Sequence, residues 1–434
     1  MEIITWLKKF KLFRIVNDFR LHCWELFLDW RSMRRLLCER KISRDSDVYR
    51  TAFLCQYIPA WNKFAPVYEY MKEDSRFEVF LICIPSNLQN HQLINNQGTE
   101  NDTYDYFISK GYQAVNALTG ENEWLDLKSL NLDYIFYPRP YNSFMPVAYT
   151  TQNVSKYAKI CILMYGMTLT KEVAEVTLHK EFFRNVYCYF ADSPYMTEVN
   201  KRHLPKSHKR GLQKSVYFGV PGIVMISDSK DEKNHAWDFA RDRGGSLRVI
   251  WTPRWTTDLS LGGSNFFVYK DLLIKYAKEH PDVDFLFRPH PLALDNFLKT
   301  GEMTRDEVHA FIRACEETPN ISLDKEPEYV ASFWNSDVLI TDISGVLPEY
   351  FVTGKPIIYC ASNMILHPID HTQKMIDACY VANTPEELFC HLAALKEKKD
   401  PMAQQRKKLA KELFGDSTEH VVGAILDFLA EPDR

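Results

Sequence analysis

The chain has 434 residues, of which 46% are hydrophobic and 25% charged, and a formal net charge of −4. That length exceeds one ordinary core and fits two domains of roughly 150–200 residues plus extensions. The balance excludes long disorder, and the net charge gives no bias toward nucleic acid.

The charge is uneven. Residues 1–44 carry Lys8, Lys9, Lys11, Arg14, Arg20, Arg31, Arg34, Arg35, Arg40, Lys41 and Arg44 against Glu2, Asp18, Glu25, Asp29 and Glu39. Residues 3–38 read as a helix, with Trp6, Phe10, Phe13, Trp24, Phe27 and Leu28 at helical spacing and cations between them. Two readings stand: an arm packed on the body of the protein, or an interfacial segment that buries aromatics among headgroups and pairs its cations with anionic lipid. Lys8, Lys9 and Lys11 interrupt the first apolar stretch and no small-residue cleavage site follows, so nothing reads as a signal peptide. No run approaches the ~18 apolar residues of a membrane span. The ten cysteines form no CxxC pair, and Cys55, Cys83, Cys161 and Cys360 sit in apolar runs as small hydrophobes. Both facts point to a reducing cytosol.

From Val48 onward, short apolar runs alternate with helical stretches. Strands are expected at 50–57, 78–84, 132–137, 159–164 and 186–190. A second series follows at 247–251, 283–288, 336–340, 356–360 and 378–382. Near-continuous apolar strands of this kind indicate parallel sheets covered on both faces. The break falls near 210–245, around Gly219, Pro221, Gly222, the charged run 228–233 and Gly244-Gly245. The expected domains are therefore a basic helical extension (1–44), a Rossmann-like acceptor domain (45–220) and a Rossmann-like nucleotide-donor domain (221–434). Two doubly wound α/β domains facing a cleft is the GT-B arrangement. Ligands then belong outside the carboxyl ends of the strands.

Three constellations lie at such ends. In 336–360 a strand runs into Thr341-Asp342, and Ser344-Gly345 opens a helix with Pro348 in its first turn. Ser344 reads as the N-cap, Gly345 as a point of close backbone approach, and the helix start as a diphosphate site. In 284–294 a strand runs into Arg288-Pro289-His290-Pro291. Arg288 offers a fork for phosphate oxygens, and His290 a donor or a proton-transfer group. In 248–258 a strand ends at Thr252-Pro253, followed by Arg254, Trp255 and Thr256. Arg254 and Thr256 read as cleft-lining groups and Trp255 as a packing residue. In 133–141, Arg139 stands between Pro138 and Pro140, placed to meet a phosphate from the acceptor side. No Asp-x-Asp pair ends a strand and no His/Cys metal spacing occurs, so neither a metal nor another cofactor is expected.

In this order, the three motifs resemble those of the CDP-glycerol glycerophosphotransferase family, most clearly over 247–360 and less so over 50–215. The resemblance implies that His290 is the donor-side histidine and Arg288 its companion. It implies that Thr341, Asp342, Ser344 and the helix start at Gly345 hold a CDP diphosphate, and that Glu349 accepts from ribose hydroxyls. Thr252 and Arg254 fall on the donor side. The sequence also departs from the family. Two serines are usual where Ser344-Gly345 stands, the arginine of P-T-W-R has moved to Arg254, and Tyr165 occupies the place of the histidine proposed as general base. A tyrosine with a pKa of ~10 is a poor base at pH 7, and His179, Asp192 and Glu198 are nearby alternatives.

The implied activity is transfer of glycerol phosphate, or a related polyol phosphate, from a CDP-linked donor to a lipid-linked or polymeric glycan acceptor. Its setting would be teichoic-acid-type or capsular polymer synthesis on the cytoplasmic face of an anionic membrane. A GT-B glycosyltransferase using a nucleotide sugar is one alternative. A catalytically silent partner subunit of an envelope-polymer complex, supported by Tyr165, is the other.

Overall fold

Buried parallel strands need apolar side chains on both faces, and the two series of apolar runs supply them. The structure is a computed structural model that describes residues 2–39, 48–94, 100–230, 235–240, 246–324, 329–362, 365–415 and 417–431. Gly244-Gly245, part of the charged run before them, and Arg40, Lys41 and Arg44 lie outside the described residues.

The first series forms a seven-stranded sheet. From edge to edge its strands are Lys214–Val216, Cys188–Phe190, Lys159–Leu163, Tyr134–Tyr137, Tyr49–Cys55, Phe77–Cys83 and Ala114–Asn116. The second forms a six-stranded sheet in the order Ile321–Leu323, Val283–Phe287, Leu247–Thr252, Val338–Thr341, Ile357–Cys360 and Tyr380–Ala382. Every neighbouring pair in both sheets is parallel. Counted in chain order within its own sheet, each begins 3-2-1-4-5-6, the doubly wound Rossmann order. The strand order therefore reverses between Tyr49–Cys55 and Tyr134–Tyr137 in one sheet, and between Leu247–Thr252 and Val338–Thr341 in the other.

The core under the second sheet is aromatic: the Phe266 ring stacks on Trp251 at 5.7 Å and on Phe297 at 5.0 Å. Trp255 packs against this core, partly buried. The polypeptide divides into two compact units. One comprises Met1–Trp61, Met71–Met164 and Leu178–Tyr217, and the other Asn62–Tyr70, Tyr165–Thr177 and Phe218–Arg434. Two short segments from the N-terminal half thus belong to the unit that carries the second sheet.

The N-terminal arm is one helix, Glu2–Glu39. Its last third packs on the first unit. Met33 and Leu36 are buried with Leu212, and the Arg184 guanidinium bonds to Glu25 and lies 3.6 Å from Asp29. Arg35 donates to Asn185 Oδ1 at 2.5 Å. Glu25, Asp29, Ser32, Met33 and Leu36 make one stripe at helical spacing. Trp24, Phe27 and Trp30 point elsewhere and stay exposed, with rings 5.6 and 6.2 Å apart along the helix. Arg34 lies 5.7 Å from the Trp30 ring. The packed-arm reading thus holds for one face of the helix.

Candidate functional site

Thr252 and Thr341 are direct partners at the carboxyl ends of the two strands where the second sheet reverses its order. The Thr252 hydroxyl donates to Thr341 Oγ1 at 2.9 Å, and the Thr341 hydroxyl donates to the Thr252 carbonyl at 3.1 Å. Thr341 Oγ1 and Ser344 Oγ stand 3.2 Å apart. Both threonines are buried, Ser344 is half-buried and Gly345 is exposed. The threonines fix the floor, and Ser344 is the hydroxyl that meets solvent. A Cβ at Gly345 would find no atom within 4 Å, so the backbone here is open to close approach.

The helix that follows runs Val346–Phe351, and its N-cap is Gly345 with no side-chain cap. The expectation of Ser344 as the N-cap is corrected. Its hydroxyl turns back to Thr341, because two buried threonines offer it a partner on the strand side.

Asp342 is buried with both oxygens occupied. Oδ2 accepts from the Arg254 N–H at 2.9 Å and the Asn265 N–H at 3.3 Å, and Oδ1 from Asn265 Nδ2 at 2.9 Å. Burial raises its pKa, against the pull of these donors. Asp342 thus fastens two loops together. Arg254 donates to the Ile343 carbonyl. Its Nε is buried without a partner among the described residues, and burial lowers its pKa although Asp342 opposes this. Gly262, at φ +110°, lies against it: a Cβ there would sit 2.7 Å from Arg254 Nε.

On the neighbouring strand end, Arg288 pairs with Asp324 at 2.7 Å, its guanidinium 4.7 Å from the Tyr329 ring centre. His290 is exposed, and its Nδ1 accepts from the Leu292 N–H at 3.1 Å. That bond leaves the ring proton on Nε2, free to donate outward. Packing around the ring and the positive charge of Arg254 hold its pKa below the usual imidazole value.

Glu349 sits in a buried triad that the sequence did not announce. Lys63 Nζ is 2.6 Å from its Oε1, the Tyr329 hydroxyl donates to its Oε2 at 2.5 Å, and Lys63 Nζ donates to the Tyr329 hydroxyl at 3.0 Å. Burial pulls the Lys63 ammonium down, but Glu349 and Tyr329 outweigh it and raise its pKa. Lys63 lies against Gly222, where a Cβ would come 2.5 Å from the Lys63 Cα.

Tyr165 lies two residues beyond the strand Lys159–Leu163 and is exposed. The segment after it is clasped by residues 367–371. His371 Nε2 donates to the Thr168 carbonyl at 3.1 Å, Ile369 N–H to Leu169 at 3.1 Å and Lys171 N–H to His367 at 2.9 Å. Thr170 and Pro368 form an isolated antiparallel bridge. Glu172 takes the His367 N–H at 2.9 Å and its Nδ1 at 2.6 Å. Among the alternatives to Tyr165, Asp192 is buried, Glu198 is paired with Lys201 at 2.8 Å, and the His179 ring lies 5.8 Å from Tyr141.

Arg139 stands where the first sheet reverses its order. Its guanidinium donates to Gln56 and lies between the rings of Tyr57 at 4.6 Å and Phe144 at 4.3 Å. The aromatic sandwich holds a cation still at the carboxyl end of that sheet.

A family model described as CDP-Glycerol:Poly(glycerophosphate) glycerophosphotransferase matches residues 165–426. No curated protein matches the chain. Among solved structures, S. aureus MnaA with UDP has a TM-score of 0.58 at 12% identity, over 89% of this chain and 97% of that one. UDP-GlcNAc 2-epimerase from Neisseria meningitidis, bound to UDP-GlcNAc, has a TM-score of 0.57 at 13% identity, over 88% and 99%. The wall teichoic acid polymerase TagF has a TM-score of 0.54 at 14% identity, over 96% and 98%. A histidine variant of TagF soaked with CDPG has a TM-score of 0.51 at 13% identity, over 96% and 99%. These likenesses establish a GT-B-like α/β fold.

Proposed function

Because the chain belongs to the CDP-glycerol:poly(glycerophosphate) glycerophosphotransferase family, we propose that it transfers glycerol phosphate, or a related polyol phosphate, from a CDP-linked donor. The acceptor is a hydroxyl of a lipid-linked or polymeric glycan in teichoic-acid-type or capsular polymer synthesis. The observation that carries this reading is the hydroxyl-lined switch point of the second sheet. There Ser344 and the open backbone at Gly345 follow the strand two places from the one that leads to His290, whose Nδ1 bond to the Leu292 N–H leaves Nε2 as the donor.

In this reading the diphosphate rests at Ser344 and Gly345. Thr252, Thr341 and Asp342 position that loop, and Arg254 and Arg288 supply fixed positive charge. The acceptor oxygen attacks the glycerol-bearing phosphorus, the bond to the CMP oxygen breaks, and His290 donates to the charge that gathers on CMP. Preorganised donors of this kind carry most of the rate in phosphoryl chemistry. Arg139 is the acceptor-side cation.

The test is transfer from CDP-glycerol, with UDP-GlcNAc as comparator, to a panel of polyprenyl-diphosphate-linked glycans. The expected product is acceptor extended by glycerol phosphate, with CMP released. Sugar transfer from UDP-GlcNAc would establish the glycosyltransferase reading instead, and donor binding without turnover the silent-subunit reading.

The setting is the inner face of an anionic membrane. No described helix is long and apolar enough to cross one; in this reading the arm makes the attachment. Its Phe19, Trp24, Phe27 and Trp30 are exposed, and Phe27 and Trp30 line a common pocket with Arg31, Arg34 and Lys156. On vesicles containing phosphatidylglycerol, the protein is expected to co-sediment at low salt and release at high salt. Trp24→Ser with Trp30→Ser should abolish binding, and Arg34→Glu should weaken it at least fivefold, since one surface cation contributes about 1 kcal/mol. These changes spare the packed stripe, whereas deleting the whole arm would strip Arg184 of its carboxylates. Unchanged sedimentation would assign the helix to structure alone.

A further inference from the structure

Attack by a hydroxyl on phosphorus releases a proton, and the groups placed so far do not take it. A tyrosine with an ordinary pKa of ~10 is a poor acceptor at neutral pH. His290 has Nδ1 filled by the Leu292 N–H, which leaves Nε2 a donor. His371 is buried, its Nε2 spent on the Thr168 carbonyl and its pKa lowered by burial to about 4.

His367 differs from both. Its side chain is 74% exposed, and Nε2 has no hydrogen-bond partner among the described residues. Glu172 holds it twice, through Nδ1 at 2.6 Å and through the backbone N–H at 2.9 Å. The Lys171 N–H returns a bond to the His367 carbonyl at 2.9 Å. A carboxylate on Nδ1 fixes the ring proton there and leaves Nε2 as a lone-pair acceptor with a set direction. His235 also meets a carboxylate, Asp238 at 3.0 Å, but only three residues away on one turn. The His367 pair instead joins residues 195 apart in the chain.

Its place also matters. The loop bearing His367 leaves the carboxyl end of the strand Ile357–Cys360, next to the strand that ends at Thr341. On the way it touches the Arg254 loop: Ser362 Oγ donates to the Gly262 carbonyl at 2.8 Å, and Asn265 Nδ2 donates to the Ala361 carbonyl at 3.2 Å. Its far end is fastened to the segment that begins at Tyr165. The dyad therefore follows a strand end next to the one that bears Thr341 and Ser344, and its clasp holds the segment that begins at Tyr165.

We propose that His367, oriented by Glu172, is the general base of the transfer, which rests on the glycerophosphotransferase reading above. The acceptor hydroxyl gives its proton to His367 Nε2 as its oxygen bonds to the glycerol-bearing phosphorus. The phosphorus–oxygen bond to CMP breaks and CMP leaves with that electron pair. His367 then returns the proton to water. Glu172 is a positioning residue.

The experiment measures CDP-glycerol binding and transfer separately in the full chain. His367→Ala is expected to keep CDP-glycerol affinity within twofold and to lower transfer by ~10²–10⁴-fold. Added imidazole should restore part of the loss. The backbone bonds of the clasp survive in this variant, and a thermal melt of each protein checks the fold. Glu172→Gln should lower transfer less than His367→Ala and respond little to imidazole. Tyr165→His should bring no gain. Wild-type transfer by His367→Ala, an equal loss of donor binding, or a gain in Tyr165→His would each overturn the assignment while the transferase reading stands. A wild-type protein that releases no CMP from CDP-glycerol with any acceptor would overturn that reading, and the base with it.

Discussion

Replacing His290 with alanine should lower glycerol phosphate transfer by ~10²–10³-fold, the usual effect of removing one preorganised donor from a transition state. The fold should hold, because the residue is exposed and, among the described residues, its ring bonds only to the nearby Leu292 N–H. The loss should fall on kcat more than on KM, since the hydrogen bond strengthens as charge moves onto CMP. Near-wild-type turnover would remove His290 from the reaction.

The largest effect on stability is expected at Lys63. Lys63→Ala leaves the Glu349 carboxylate buried without its cation, and breaking such a pair costs about 3–5 kcal/mol. The sign with pH follows from the raised pKa of Lys63. The contribution is fully present below the ordinary value of 10.5 and is lost as pH rises through the folded-state value. The gap between wild type and Lys63→Ala in urea unfolding should therefore be the same at pH 7 and pH 9. Lys63→Met combined with Glu349→Leu should recover most of the loss, because it removes both buried charges. A single variant as stable as wild type would show that water reaches the triad.

The sequence carried most of the sheet architecture and less of the chemistry. All ten expected strands are present, at slightly different ends: nine have a neighbour on each side, and the tenth, Tyr380–Ala382, is an edge strand. The strands of the two large sheets that were not expected, Ala114–Asn116, Lys214–Val216 and Ile321–Leu323, are edge strands of three residues, and the two small antiparallel hairpins at Leu88–Leu93 and Leu118–Trp124 are as short; none is long enough to show a period. The motifs at strand ends were legible as motifs. Their division of labour was not: Asp342 and the two threonines look inward while Ser344 and Gly345 look outward, and only burial tells them apart. The Lys63–Glu349 pair spans 286 residues and the Glu172–His367 pair 195. No local pattern announces a partner at such distance. Glu172 and His367 each look like an ordinary surface residue in their own segment.

The two segments that the N-terminal half lends to the second unit also set a schedule for synthesis. Residues 165–172 leave the ribosome long before the loop that clasps them. With 195 residues between Glu172 and His367 and elongation at about 5–20 residues per second, the wait is on the order of 10–40 s. During that interval Met167 and Leu169, buried in the finished protein, have no cover from their eventual neighbours. A nascent chain stalled before residue 367 should therefore hold a chaperone-accessible stretch around 165–172, which closes only when the last third of the polypeptide has been made.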